Sequence, residues 1–423
     1  MLRLLVLIAS VMSLSSAPAE ARSKENRQAE ALAPARAALA NDYDAIVAQL
    51  ITITEIPAPP FAEEKRGAYM AKAFREHGLR DVAIDAVGNV TGIYPDRSGS
   101  IAGKLLVVSA HLDTVFPADT DVTVRREGDR LKAPGVGDDS LGLAAMLAWL
   151  RAMDTGNIQT DMPILFVATV GEEGRGDLRG VRHLMKQGDY AERIARFISV
   201  DGYMPQWLVH KAVGSKRYEI AFNGPGGHSY GAYGIVNPMV AMADAVQRLY
   251  QIVPSDDPRT TYSASVVFGG RSVNTIPDNI VLMVDMRSPD PEALAALEAQ
   301  FLKIVDEAVV AENAARSTRA GEITIEKIRI GDRPPGETDK DDPLVKGAKA
   351  IMEASGYNAV ISSSSTDSNI AMSMDVPAIT IGTGGGGGRA HTLDEYISVE
   401  RESFIKGLDT GLQIIIAATG DMS

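Results

Sequence analysis

The chain contains no cysteine. It can therefore form no disulfide bond and offers no thiol for lipid attachment, and any metal site must draw on histidine, aspartate and glutamate. Positive charge is also scarce: 42 lysines and arginines stand against 55 aspartates and glutamates, giving a net charge of −13. This balance argues against nucleic acid as a partner, since nucleic acid requires basic surface that displaces counterions. It gives no reason to expect attraction to anionic lipid either.

Apolar runs long enough to span a bilayer are missing as well, and the N-terminus has only a short one. Arg3 precedes an uncharged apolar stretch from Leu4 to Leu14, and Ala19-Glu20-Ala21 has the small-x-small pattern of a cleavage site. The stretch is too short for a permanent membrane helix, although an uncleaved anchor is the alternative. We predict that residues 1–21 are a signal peptide, and that the mature protein is periplasmic or secreted without membrane contact.

The rest of the chain has an ordinary globular composition and is long enough for two domains. Of the 423 residues, 45% are hydrophobic and 23% are charged. Short apolar runs alternate with helical patterns, which predicts an α/β domain with a largely buried sheet. The predicted strands are Leu105–Ala110, Pro163–Val170, Phe197–Val200 and Ala378–Gly382, and the predicted helices are Leu141–Met153, Val181–Gln187, Leu344–Ser355 and Arg401–Ala418.

The middle of the chain has a different pattern. Its order strand-helix-strand-strand-helix-strand predicts a compact α+β sandwich. The strands are Tyr218–Phe222, Ser263–Phe268, Ile280–Met286 and Ile323–Ile330, and the helices are Pro238–Val253 and Pro291–Glu312. A connector around Gly214 precedes this unit, and a turn-rich link at residues 331–336 follows it. We therefore predict that residues 214–331 form a domain inserted into a first domain of residues 22–213 and 332–423.

Two short motifs early in the first domain carry side chains of the metal-binding type. His111 follows the strand Leu105–Ala110, and Asp113 points to the same side of an extended segment, where its carboxylate can fix the imidazole tautomer. Taken alone, this pair also fits a capped turn with a surface histidine. Asp138 and Asp139 stand at the start of a predicted helix. They can cap the helix or favour its dipole, or Asp138 can bridge two cations.

The same arrangement recurs after the other buried strands. Glu172 and Glu173 follow Pro163–Val170, and such adjacent carboxylates require a compensating positive charge. Asp201 follows the next strand, and His391 lies beyond the last one. Each residue alone is as well explained as part of a loop. Together they place ligand-type side chains where open α/β sheets bind their ligands, which predicts a metal site.

Eight motifs occur in an order that is specific although each motif is not. The segments HLD, GVGDDSLG, GEEG, VDG, GPGGHS, VNTIP, DMR and GRAHTLDE closely resemble the co-catalytic zinc exopeptidases. That family includes tripeptide aminopeptidase, glutamate carboxypeptidase, aminoacylase and the acetylornithine and succinyl-diaminopimelate deacylases. The resemblance implies a mixed-sheet α/β zinc exopeptidase domain with an inserted α+β sandwich that acts as lid and dimerisation domain. The tripeptide aminopeptidase branch is the most similar.

The resemblance implies two divalent metal ions. The family uses zinc, although ligands of these types also accept cobalt or manganese. The implied metal ligands are His111, Asp138, Glu173, Asp201 and His391. Asp138 would bridge both ions, and its peptide bond to Asp139 is expected to be cis. Glu173 and His391 would complete one metal's shell, and Asp201 would bind the other metal together with His111.

The same resemblance implies three catalytic roles. Glu172 is expected to be the general base, and Asp113 is expected to orient His111. His228 would reach the active site from the lid of a partner subunit and stabilise the oxyanion, which implies a homodimer.

Substrate contacts are implied in the inserted domain and in the glycine run. Asn274 and Arg287 would hold a substrate carboxylate, and the run centred on Gly386 would line the same end. A guanidinium suits this task because it can make two parallel hydrogen bonds. For Arg287, an ion pair with Asp285 is the alternative.

These residues predict an exported binuclear-metal exopeptidase that hydrolyses small peptides by a metal-activated water. An N-acyl amino acid amidohydrolase or a carboxypeptidase would use the same ligands and is the alternative. A non-enzymatic solute-binding protein is a third hypothesis, but such a protein has no use for an unligated base at Glu172.

Overall fold

The computed structural model describes residues 31–422, so the predicted signal peptide at residues 1–21 lies outside the described residues. The helices are α1 (31–41), α2 (Tyr43–Thr54), α3 (Glu64–Glu76), α4 (Ser140–Thr155), α5 (Arg179–Lys186), α6 (Pro238–Leu249), α7 (Pro291–Ala315), α8 (Pro343–Ala354), α9 (Ser368–Met372) and α10 (Arg401–Ala418). Two 3₁₀ turns cover Gly174–Gly176 and Ala191–Arg193.

The strands form one large sheet and three smaller ones. They are β1 (Arg80–Ile84), β2 (Val90–Tyr94), β3 (Leu105–His111), β4 (Arg125–Glu127), β5 (Arg130–Lys132), β6 (Ile164–Thr169), β7 (Ile194–Val200), β8 (Trp207–Ala212), β9 (Gly214–Asn223), β10 (Gly227–His228), β11 (Thr261–Gly269), β12 (Thr275–Ile276), β13 (Asn279–Ser288), β14 (Thr324–Arg333), β15 (Gly336–Glu337), β16 (Val360–Ser364), β17 (Ala378–Ile381), β18 (Gly387–Gly388) and β19 (Tyr396–Ser398).

The large sheet is mixed and has nine strands. Their order is β1-β2-β6-β3-β7-β17-β8-β15, with β16 beside β8. Strands β6, β3, β7 and β17 are parallel to one another, whereas β2 runs antiparallel to β6 and β8 runs antiparallel to β17. The carboxyl ends of the four central parallel strands therefore lie along one edge of the sheet.

Both faces of this sheet are covered, which explains why its central strands are apolar throughout. Every residue of β3 and β6 is buried. Separate apolar clusters pack on the two faces, one with α2, α4 and α10 and the other with α5 and α9. The predicted α/β fold class is confirmed. Among the described residues, no helix is both long enough and apolar enough to cross a membrane.

The middle of the chain forms an antiparallel four-stranded sheet in the order β11-β13-β9-β14. Helices α6 and α7 pack on one face against Tyr218, Ile220 and Phe222. Alternation along the strands turns Arg217 and Arg287 to the opposite face. The link predicted at residues 331–336 differs in the structure, because β14 stays paired with β9 as far as Arg333 and β15 starts at Gly336.

Three helices begin in the same way, and the sequence explains why. An Asn or Asp precedes a proline at the starts of α6, α7 and α8, and the side chains of Asn237, Asp290 and Asp342 each accept a hydrogen bond from a first-turn amide. The proline fixes the backbone for helix entry, while the capping side chain satisfies an amide that has no partner within the helix.

Candidate metal centre

The ligand-type residues meet at the carboxyl edge of the central parallel strands. His111 is the last residue of β3, Glu172 and Glu173 follow β6, and Asp201 follows β7. Asp138 reaches the same edge from the turn before α4. Parallel pairing of β3 with both β6 and β7 brings these loops together.

The five predicted metal ligands form two groups that share Asp138. Ligand atoms of His111, Asp138 and Asp201 lie within 4.8 Å of one another, and so do those of Asp138, Glu173 and His391. Asp138 Oδ1 lies 2.9 Å from His111 Nε2, and its Oδ2 lies 3.0 Å from His391 Nε2. One carboxylate therefore connects two clusters of donor atoms, which is the arrangement a bridging ligand requires.

Helix capping and cation bridging, which the sequence left open, fall to different residues of the pair Asp138 and Asp139. The peptide bond between Asp138 and Asp139 is cis, as expected. Asp139 caps α4 by accepting from Gly142 N at 3.2 Å, and its other oxygen accepts from His111 N at 2.9 Å. Asp139 thus serves the backbone, which leaves the Asp138 carboxylate for the cleft.

Asp113 contacts His111 differently from the prediction. The ring Nδ1 of His111 lies 2.9 Å from the backbone carbonyl oxygen of Asp113, but 3.8 Å from its carboxylate. The two carboxylate oxygens instead accept from the backbone amides of Glu172 and Glu173, at 2.9 and 2.8 Å. Asp113 therefore fixes the backbone of both glutamates and orients the imidazole through its carbonyl group.

Crowded carboxylates give the centre a strong preference for cations. Burial and the charge of Asp138 raise the pKa of Asp201 to about 7. Burial also acts to raise the pKa of Asp138, yet hydrogen bonds with His111 and His391 hold it well below its usual range. Hydrogen bonds to Asp138 and Glu173 raise the pKa of His391 to about 11. Contacts between the imidazoles and the carboxylates therefore offset part of the repulsion among the carboxylates.

This donor set fits two divalent cations. Three carboxylates and two imidazoles are hard and intermediate ligands of the kind that zinc, cobalt and manganese accept. Cations would take the place of the imidazole protons and offset the repulsion among the carboxylates. The residues that would hold them are His111, Asp138, Glu173, Asp201 and His391.

Arg333 supplies the compensating positive charge expected beside Glu172, although the sequence did not indicate which residue would provide it. Arg333 Nη1 donates to Glu172 Oε1 at 2.8 Å, and Nη2 donates to the backbone oxygen of Glu172. Both side chains are only 4% exposed. Burial raises the pKa of Glu172 well above its usual value, and the charge of Arg333 offsets part of that effect. Glu172 also lies within 4.8 Å of ligand atoms of His111 and Glu173.

Glu395 is a second residue that the sequence did not assign. Its buried carboxylate accepts three backbone amides, from Gly135 at 3.0 Å, Gly137 at 2.7 Å and Asp138 at 2.9 Å. It stands four positions after His391. One loop thus supplies a candidate ligand and also fixes the turn that carries Asp138.

A cleft of about 530 Å³ opens beside the cluster, and arginines form part of its lining. Arg287 Nε donates to Asp285 Oδ2 at 2.7 Å, so the predicted alternative of an ion pair is present although Arg287 faces the cleft. Arg217 shares Asp285 at 3.3 Å and also lines the cleft, together with Arg333. Arg217 and Arg333 had no recognisable sequence signal, because neither stands in a motif that carries ligand-type residues.

Two residues expected to hold one carboxylate are separated. Asn274 does not line the cleft with Arg287 but lies next to His228, where its backbone oxygen accepts from Ser229 N at 2.9 Å. His228 is exposed on β10, which pairs with β12. Gly386 is likewise outside the cleft lining, because the loop reaches the cleft only at Ala390 and His391. Within the described residues, this chain's own lid thus supplies only Arg217, Arg287 and Arg333 to the cleft.

Solved structures with the same fold include several peptidases. Aminopeptidase PepT of Bacillus cereus is 20% identical, with a TM-score of 0.69 over 89% of this chain and 98% of that chain. A tripeptidase of Staphylococcus aureus is 21% identical, with a TM-score of 0.72 over 89% and 98%. Human carnosine dipeptidase 1 is 13% identical, with a TM-score of 0.72 over 92% and 98%. Comparable scores for an aminopeptidase, a tripeptidase and a dipeptidase show a common fold and do not select a substrate.

The sequence comparison is more specific, because the family described as peptidase family M20/M25/M40 matches residues 107–417. This range contains all five candidate metal ligands, Glu172 and the inserted sheet. The resemblance inferred from the eight motifs is thereby confirmed. The chain belongs to peptidase family M20/M25/M40 and is a metal-dependent hydrolase.

Proposed function

We propose that this protein is an exported binuclear metallopeptidase that hydrolyses the amide bond of small peptides, with Glu172 as general base. The main support for this proposal is the position of Glu172 beside two groups of metal-ligand atoms that share Asp138. Arg333 holds the Glu172 carboxylate at that position, where it can transfer protons. A purely structural metal site would not need such a carboxylate.

The chemistry divides between the ions and the protein. Divalent cations held by the five candidate ligands would supply Lewis acidity for the scissile carbonyl group and for the attacking water molecule. Glu172 accepts the proton of that water and passes it to the leaving amine. Arg333 keeps the Glu172 carboxylate in place, and Asp113 holds the backbone of Glu172 from the other side.

Arg287 is the proposed anchor for a substrate carboxylate. The contact with Asp285 uses Nε, so the terminal nitrogens Nη1 and Nη2 are outside that contact and can bind two carboxylate oxygens. This assignment favours a substrate with a free carboxylate, which small peptides and N-acyl amino acids share.

The metal identity, the export and the dimer also belong to this proposal. The family supports zinc, and the ligand types are compatible with it. The N-terminal sequence pattern supports export, and the positions of His228 and Asn274 support the homodimer. Those two residues lie together on the lid but outside this chain's cleft, so a second subunit would have to bring them to a metal centre.

A substrate panel tests the proposed reaction. The full mature chain is stripped with a chelator, reloaded with zinc, cobalt or manganese, and assayed on tripeptides, dipeptides and N-acetyl amino acids. We expect metal-dependent hydrolysis of peptides at two metal ions per chain. Release of acyl groups alone would replace the peptidase assignment with that of an N-acyl amino acid amidohydrolase, and no hydrolysis of any substrate would refute the proposal.

A further inference from the structure

The cleft continues past the metal centre to an apolar end. Trp207 and Val360 line it there and remain 48% and 41% exposed. Met204 and Val209 also line the cleft, and so do Ser362, Ser363 and Ser364, which follow on β16. A half-exposed tryptophan inside a concave site is unusual for a structural side chain, because burial of an aromatic ring is strongly favourable.

Strand register places this apolar end in line with the metal centre. Val200 is paired with Ile381, Ile381 with Leu208, and Trp207 with Val360. Residues one position further along β7 and β17, Asp201 and Gly382, therefore stand level with Trp207 and Val360. The four positions form a row across neighbouring strands of one sheet.

The spacing of this row matches the length of a short peptide. Neighbouring strands are about 4.8 Å apart, so the backbones of Trp207 and Val360 lie roughly 10 and 14 Å from that of Asp201. An extended peptide covers about 3.3–3.6 Å per residue. Residues one or two positions from the scissile bond therefore lie about 3.5–7 Å along this row, and their own side chains span the remaining distance to Trp207.

We propose that Trp207 and Val360 form a subsite for an apolar side chain, aromatic or branched aliphatic, of the peptide substrate. This inference rests on the proposed function and names the substrate class more closely. Neither side chain carries a charge, and the three arginines of the cleft belong to the inserted domain and its end at Arg333. The site thus presents cationic groups for a carboxylate and, separately, an apolar surface for a side chain.

Tripeptides that differ at a single position test the subsite. The metal-loaded enzyme is assayed on sets in which each position in turn is Ala, Leu, Phe or Asp. At one position we expect kcat/KM for Leu or Phe to exceed that for Ala by about 10-fold or more, the usual discrimination of an apolar pocket. Trp207→Ala should abolish most of this preference, yet leave kcat/KM for the Ala peptide within roughly 3-fold. Val360→Ala should reduce the preference less.

The control is Ile84→Ala, which removes a similarly exposed side chain, 52% exposed, from edge strand β1. It should keep the full preference, and metal content and Tm measured on every variant show that the site is intact. Equal loss on the Ala and Leu peptides in Trp207→Ala, or hydrolysis by the unsubstituted enzyme without preference at any position, overturns the subsite alone. If the unsubstituted enzyme hydrolyses no peptide, the proposed function fails and the subsite fails with it.

Discussion

At the scale of single residues, the pairing of Glu172 with Arg333 is the feature that most changes how the site is understood. A glutamate beside metal ligands is expected to repel its neighbours, and here a buried guanidinium compensates it at 2.8 Å. Arg333 belongs to the last strand of the inserted domain, whereas Glu172 follows a strand of the large sheet. One ion pair therefore connects the proposed general base to the end of the inserted domain.

Arg333→Met should be strongly destabilising. It leaves the carboxylate of Glu172 buried without its cation, and breaking a buried pair in this way costs about 3–5 kcal/mol. Urea unfolding of the metal-free protein measures the loss, and adding Glu172→Gln should recover a large part of it. Arg125→Met is the control, because its pair with Asp121 is exposed on both sides and should contribute little to stability. A loss as small as the control's would contradict the role given to Arg333.

The buried residue Asp367 should make the stability of the protein depend on pH. Burial raises its pKa, and the hydrogen bond from Thr169 Oγ1, 2.6 Å long, offsets only part of this effect. The folded state therefore binds this proton more tightly than the unfolded state does. The contribution of protonated Asp367 to the free energy of unfolding is full below the pKa that Asp367 has in the unfolded state, and it is lost as pH rises through the pKa of the folded state.

The variant Asp367→Asn isolates that contribution. Its stability relative to the unsubstituted protein should improve steadily from pH 4 towards neutrality, as measured by urea unfolding of both proteins without metal. A stability difference that does not change with pH, or changes in the opposite sense, would contradict the assignment.

At the scale of elements, the loop from His391 to Glu395 combines two functions. His391 contacts both Asp138 and Glu173, and Glu395 holds the turn before α4 through three amides. Movement of this loop would therefore disturb a candidate ligand and the bridging carboxylate together.

Glu395→Ala should weaken metal binding without removing any ligand. Loss of the outer partners of metal ligands typically lowers metal affinity by about 10–100-fold, and we expect a decrease of that size here. Competition with a chromophoric chelator measures the affinity. Asp394→Ala is the matched control, since Asp394 is exposed and pairs with Arg389 at the surface. Equal affinities for both variants would show that Glu395 does not position the site.

The elements that could be predicted from sequence are those with strong periodicity. Strands β3, β6, β7 and β17 were recognisable because burial dictates their apolar composition. All four strands of the inserted sheet were also predicted, although β11 is largely exposed. β8 and β16 were missed, because Trp207–Ala212 alternates weakly and Val360–Ser364 ends in serines. Their pairing depends on contacts distant in sequence, and the apolar end of the cleft could not be foreseen without it.

The site was predictable to a similar extent. Residues in glycine-flanked motifs at strand ends, such as Asp138, Glu173 and Asp201, could be placed together from sequence. Arg333 and Glu395 could not, because each acts through a partner more than a hundred residues away. The carboxylate of Asp113 was assigned to the wrong partner for a similar reason, since its amide donors belong to another loop.

At the scale of the whole molecule, the inserted domain presents surfaces that one subunit does not use. His228 is exposed beside Asn274, and the edge strand β11 exposes Val266, Val267 and Phe268. An exposed apolar edge strand readily pairs with another chain. A homodimer through this domain would cover the edge and carry His228 towards a partner's cleft.

Mixed dimers test this arrangement. Glu172→Gln and His228→Ala should each be nearly inactive alone, but coexpressed chains carrying different tags should recover activity. In random twofold pairing about half of the dimers are mixed, and one of their two sites has both Glu172 and His228 intact, so about a quarter of full activity is expected. A mixture no more active than its components would place His228 in its own subunit or outside catalysis.

In the proposed mechanism Glu172 is the base beside two metal ions, and the variant Glu172→Gln is the sharpest test of that role. Glutamine keeps an oxygen that can accept a hydrogen bond from Arg333, whereas alanine would leave the buried guanidinium without this acceptor. Metal content by mass spectrometry and kcat are measured on the same samples. We predict two metal ions per chain, as in the unsubstituted enzyme, with kcat lowered by about 10²–10⁴-fold. Unchanged hydrolysis with both metals bound would show that Glu172 is not the general base.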